Sequence, residues 1–197
     1  MATERGFDRL VNFSDAVVAI AITILVLPMV DEATSAGSQG IDAVLAGIFP
    51  QLLMFVLSFV NIAYFWLQHH RFFERLRRID HRLMLINLAW LLGIVFMPFP
   101  TVLVVEEQGP DGWANGLYIG TMLYISAVQL MMKLHVKNHP ELMAEGDTNN
   151  LYIPITVVIT VTLLISLVLA LTVPAIGLWS LFLLWLSPVV SRFIPKP

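Results

Sequence analysis

A chain of 197 residues that is 58% hydrophobic and only 13% charged carries about half the charge of a soluble domain, so its solvent is a bilayer. It contains no cysteine, which excludes a disulfide scaffold, a thiolate metal site and a thiol nucleophile. The net charge of −3 comes without an extended basic patch, which argues against nucleic acid as a partner.

A spanning helix needs about 20 apolar residues, each adding about 1.5 Å across a hydrocarbon core about 30 Å thick. Residues 7–30, 46–67, 83–105, 112–134, 150–173 and 175–193 qualify. The sequence therefore predicts an all-α integral membrane protein, one six-helix domain over 1–197. Val173-Pro174 divides the last two spans, because proline lacks an amide donor and ends one helix while starting another. Ala33-Thr34-Ser35-Ala36 loosely resembles a leader cleavage site, but Glu4 and Asp8 cancel the positive n-region. Asn12, Ser14 and Asp15 also interrupt the apolar run, so the first segment reads as a retained span.

All eleven Lys and Arg fall at one end of these spans: Arg5, Arg9, Arg71, Arg75, Arg77, Arg78, Arg82, Lys133, Lys137, Arg192 and Lys196. The opposite loops carry Asp31, Glu32, Asp42, Glu106, Glu107 and Asp111. Short basic loops stay cytoplasmic, so both termini are expected inside.

In the first span Asp15 lies two turns from the end, where a carboxylate needs a partner or water. At 100° per residue Ala16, Ile20, Thr23 and Leu27 share an arc of about 60°, displaced from Asp15 by roughly 80–140°. The stripe faces lipid, another helix or a narrow pore; spacing leaves all three open. Asp15 and Ser14 read first as polar glue between helices. In the second span His69 and His70 point about 100° apart, a poor metal pair. One of them is expected to pair with Asp15. Asn61, Asn87, Ser126 and Gln129 are expected as interhelical hydrogen-bond partners, Gly116-x-x-x-Gly120 as a close-packing face and Pro98-Phe99-Pro100-Thr101 as a kink.

Arg9-x-x-x-Phe13-Ser14-Asp15 resembles the signature of the transmembrane protein 175 family, the lysosomal and prokaryotic potassium channels. The likeness runs on through Phe65-Trp66-x-x-His69-His70-Arg71-x-Phe73, Asp80, Asn87-Leu88 and Pro98-Phe99-Pro100-Thr101. It covers the first three spans by motif and the last three mainly by hydropathy. The resemblance implies a single-repeat homotetramer in a prokaryotic plasma membrane, with the first helix of each copy lining the pore. Ile20 would then form the constriction, Thr23 the hydroxyl that favours potassium, and Leu27 and Ile24 further apolar rings. Arg9, Phe13, Ser14 and Asp15, with His69 and His70, would form a structural network holding that helix in place. No cofactor or metal is implied, and the permeating ions are monovalent cations, potassium foremost.

A hydrophobic ring makes ions shed water, which potassium does more easily than sodium, so passive conduction with modest selectivity is expected. The rival reading is a proton-coupled transporter or proton leak through Asp15 and His69 or His70. It calls for a polar midplane and broken helices, whereas Pro28, Pro98 and Pro154 sit near span ends. An enzyme would need a nucleophile–base pair, and the motifs contain none.

Overall fold

The computed structural model describes residues 4–35, 40–106, 112–144, 151–173 and 176–186. Among these the secondary structure is helical, apart from one antiparallel bridge between Leu76 and Met143. The α-helices are α1 (Glu4–Ile24), α2 (Leu27–Ser35), α3 (Ile41–Phe73), α4 (His81–Phe96), α5 (Pro98–Glu106), α6 (Trp113–Asn138) and α7 (Ile153–Thr172), with 3-10 turns at Pro140–Leu142 and Gly177–Leu186. Among the described residues five stretches are long and apolar enough to cross a membrane: Gly6–Ser35, Val44–Phe73, His81–Glu106, Trp113–Asn138 and Ile153–Thr172.

The first span is not one helix. Pro28 has no N–H to offer the Ile24 carbonyl, and the chain turns at Leu25-Val26, where Val26 N bonds Thr23 O at 3.3 Å. The regular 100° spacing assumed through Leu27 therefore stops at Ile24, and Leu27 opens α2. The third span breaks similarly at Met97, as Pro98 and Pro100 occupy the first turn of α5, where missing donors cost nothing. The second span outruns its predicted limits. α3 has 33 residues, about 50 Å at 1.5 Å per residue, so its last turns carry His69 and His70 beyond the apolar run.

Of the sixth predicted span, Gly177–Leu186 forms a 3-10 helix against α7, where Ser166 Oγ donates to Ser180 O at 2.9 Å. Pro174, Arg192 and Lys196 lie outside the described residues, as do Ala36, Glu107 and Asp111.

The core lies where α4 and α6 cross beside α3, with Trp90, Tyr118, Ile62, Leu83 and Ile94 fully buried. Gly93 sets the α4–α6 distance: a Cβ there would meet Ile125 Cγ1 at 2.7 Å and Tyr124 Cδ1 at 2.8 Å. In the Gly116–Gly120 pair the close approach is to α7, with Leu171 Cδ2 2.6 Å from a Cβ at 116.

Candidate functional site

The first span has two unlike faces. Ser14, Val18, Ala21 and Leu25 recur at helical spacing and are buried against the rest of the chain, Val18 at 2% exposure. The roughly opposite face carries Phe13, Ala16, Ile20, Thr23 and Ile24, continued by Leu27, and is uncovered, Ile20 at 58% and Leu27 at 52%. It carries no carboxylate. Thr23 Oγ1 donates back to the Ile20 carbonyl at 2.8 Å, which holds the hydroxyl in place and leaves its oxygen lone pairs outward.

Behind the stripe runs a chain of buried polar groups. Ser14 Oγ donates to Leu10 O at 2.9 Å and accepts from Asn87 Nδ2 at 2.9 Å; Asn87 Oδ1 meets His69 Nε2 at 2.7 Å. Because that oxygen can only accept, His69 carries its proton on Nε2. The imidazole is 1% exposed and is stacked between Trp90 (4.1 Å) and Phe73 (4.4 Å). One residue from each of α1, α3 and α4 thereby closes a three-helix junction.

Asp15 is not the partner of either histidine. Its Oδ1 accepts from the Trp66 indole Nε1 at 2.8 Å. His69 points inward to Asn87, while His70 stacks on Trp66 at 5.2 Å and reaches Glu74 at 3.3 Å. Trp66 and His70 are one turn apart on a common face of α3, and the tryptophan is the one that reaches α1. Arg9 and Phe13 do not join this network. Both side chains are exposed, and Arg9 makes no hydrogen bond or ion pair among the described residues.

A second polar cluster ties α3, α5 and α6. Ser58 Oγ lies 2.9 Å from Thr101 Oγ1 and 3.0 Å from the Tyr118 hydroxyl, which accepts from Asn61 Nδ2 at 3.0 Å. At the arginine-rich end Asp80 caps α4 through Leu83 N (2.7 Å) and binds His135 Nε2 on α6 at 2.8 Å. Burial raises the Asp80 carboxyl, but the Leu83 amide and His135 outweigh it and hold it below the ordinary carboxylate value. At the opposite end a cavity of about 440 Å³ is lined by Leu27, Asp31, Glu32, Gln51, Phe99 and Glu106 among others, next to the foot of the α1 stripe. Among the described residues no three His, Asp or Glu side chains gather to hold a metal ion.

Residues 9–98 match the model of the endosomal/lysosomal potassium channel TMEM175 family. That stretch contains Arg9, Ser14, Asp15, Trp66, His69, Asn87 and Pro98. A Chamaesiphon minutus protein named a potassium channel is 34% identical over 140 residues, covering 70% of this chain and 69% of that protein. The human endosomal/lysosomal proton channel TMEM175 is 29% identical over 138 residues, 70% of this chain but 27% of the human protein. The crystal structure of a lysosomal potassium-selective channel TMEM175 homolog from Chamaesiphon minutus aligns with a TM-score of 0.63 at 28% identity, over 92% of this chain and 97% of that one. With helices that suit a membrane and a relative this similar along two thirds of its length, the chain belongs to the TMEM175 channel family.

Proposed function

We propose that this chain is a subunit of a potassium-preferring cation channel. Four copies bring the uncovered α1 stripe to a common axis, with both termini cytoplasmic in a prokaryotic plasma membrane. The observation that carries the reading is the contrast between the two faces of α1. One is packed and polar-bonded within the chain. The other is uncovered, free of carboxylates, and carries bulkier side chains at Ile20 and Leu27 than at Ala16, with one hydroxyl at Thr23. An apolar ring at Ile20 selects by the cost of dehydration, a selection weaker than that of a carbonyl filter. The similarity to relatives named potassium channels supports the choice of ion. Asp31, Glu32 and Glu106 around the far cavity would raise the local cation concentration within a Debye length of about 8–10 Å.

The vertebrate relatives are named proton channels, which keeps proton flux as a second reading. A relay through Asp15 and the histidines has poor geometry in this chain. Asp15 ends on an indole N–H, which does not shuttle protons, and His69 is walled in by two rings. Reversal potentials of purified protein in liposomes, under separate potassium, sodium and pH gradients, test both. The proposal expects potentials that follow potassium more closely than sodium. A potential set by the pH gradient alone, or no conductance, overturns it.

A further inference from the structure

Lys133, on α6, is 2% exposed, yet among the described residues its ammonium is met only by the Thr156 hydroxyl of α7, at 2.7 Å. Among the described residues no carboxylate pairs with it. A buried ammonium with one neutral acceptor for three N–H donors is costly unless an anion completes it. Lys133 lines a cavity of about 420 Å³ at the arginine-rich end of the bundle. Arg71 of α3 and Arg75, in the turn that follows it, line it too, and the Arg75 guanidinium lies 4.9 Å over the Tyr152 ring.

The start of α7 forms the remaining wall. Tyr152 is its N-cap residue, no side chain caps the helix and Pro154 has no N–H, so in the first turn of this 20-residue helix the amides of Ile153 and Ile155 are left to other acceptors. Phe72, Leu151 and Ile155 supply apolar surface beside the charges.

We propose that this cavity is a binding site for a phosphate-bearing anion, of the kind presented by an anionic phospholipid headgroup or by free inorganic phosphate. Several cationic donors and a helix N-terminus converge on one space, which suits the multiple oxygens of a phosphate better than a single carboxylate. Surface arginines near headgroups are ordinary in membrane proteins. A lysine withdrawn from solvent into the same space is not, and it would fix the headgroup between α3, α6 and α7. The site lies away from the α1 stripe, so it stands independently of the channel reading.

The test uses purified full-length protein in a phosphate-free buffer and maltoside detergent, supplemented with phosphatidylglycerol, with phosphatidylcholine, or with phosphatidylcholine plus inorganic phosphate. Thermal midpoint and bound-lipid adducts in native mass spectrometry are read for wild type, Lys133→Met and Arg71→Gln. Phosphatidylglycerol is expected to raise the wild-type midpoint by several degrees over phosphatidylcholine and to leave an adduct, and both variants lose that increment. A rise with inorganic phosphate alone assigns the soluble anion instead of the headgroup, and supports the site equally. Without either anion, Lys133→Met should match or exceed the wild type, because methionine removes an uncompensated charge. Arg71 is exposed, so Arg71→Gln decides the matter should Lys133→Met fail to fold. No response to either anion overturns the proposal. So does an increment kept by Arg71→Gln, or an equal loss in Lys133→Met under every condition, which would mark Lys133 as a structural tie to Thr156.

Discussion

Asp15 and Trp66 join the first and second spans through one hydrogen bond, indole Nε1 to carboxylate Oδ1 at 2.8 Å. The bond satisfies a carboxylate that is partly buried at membrane depth, where an unpaired charge is expensive. It also places the anionic residue beside the uncovered stripe and off it.

Trp66→Phe keeps the ring stacked on His70 and deletes only the donor. A bond to a charged group is worth about 1.5–3 kcal/mol, so the thermal midpoint of purified protein should fall accordingly. Asp15→Asn, which keeps an acceptor oxygen, should cost less than Asp15→Ala. A fully stable Asp15→Ala with altered ion selectivity would instead put Asp15 in the conduction path.

The junction of Ser14, Asn87 and His69 makes a prediction of a different form. Asn87→Leu leaves the His69 Nε2–H without its acceptor in a dry site and should destabilise by about 1–3 kcal/mol. His69→Phe preserves the stack between Trp90 and Phe73 but strands Asn87. Since each single change leaves an orphan that the other removes, the double variant should lose less than the sum. Additive losses in a double-mutant cycle would show that the hydrogen bond contributes nothing.

Gly93 and Gly116 are both crowded, yet they should respond differently to alanine. Beside Gly93 stand Ile125, fully buried, and the ring of Tyr124, whose hydroxyl is tied to Ala89 O at 3.0 Å. Neither yields, so overpacking by about 1–3 kcal/mol should outweigh the roughly 1 kcal/mol gained in helix propensity. Beside Gly116 the close atom is a terminal methyl of Leu171, a half-exposed side chain that can turn away. Gly116→Ala should be neutral or mildly stabilising. Thermal midpoints of the two variants, measured side by side, check the contrast.

The Asp80 pair gives a pH dependence. Its carboxyl lies below the ordinary value in the folded protein, so the unfolded chain takes up a proton first as the solution is acidified. The contribution of Asp80 is therefore complete above the ordinary carboxylate value and is lost as pH falls through the lower, folded one. Asp80→Asn should be less stable than wild type at neutral pH, and the gap should close below about pH 4. A gap that widens on acidification would contradict the assignment.

Much of this architecture was legible because hydropathy and charge speak at long range in a membrane protein. Twenty-residue apolar runs and the one-sided arginines require no partner to be recognised. That Ala16, Ile20 and Thr23 share one face of α1 was likewise readable from the helical repeat, but whether that face is covered was not, because spacing alone carries no packing. What the sequence hid were pairings decided by a single rotamer. Trp66 stood in the sequence as a motif residue with no partner assigned, and only the packing of α3 on α1 brings its indole to Asp15 in place of a histidine. Lys133 counted as one more positive charge at the membrane edge until α7 closed over it. His135 lies 55 residues from Asp80, with nothing local to mark the pair. The turn at Leu25-Val26 had its signal in Pro28, but an unbroken apolar run masked it.

The constriction is the sharpest test of function. Ile20 is uncovered, but so are Leu92 of α4 and Leu164 of α7, and lipid contact accounts for those equally well. A polar substitution separates the cases. If four Ile20 side chains meet at an axis, Ile20→Asn places a ring of amides there, wets the narrowest point and lowers the dehydration cost for every cation. Flux through reconstituted protein should then rise several-fold while potassium-over-sodium discrimination falls. Leu92→Asn, matched in chemistry and exposure, should change neither. Thr23→Ala should act oppositely to Ile20→Asn on flux, since it removes the one hydroxyl on the stripe and leaves the ring dry, though it too should reduce the preference for potassium. Equal behaviour of Ile20→Asn and Leu92→Asn in folded protein would mean that α1 faces lipid and that the pore is lined by another helix.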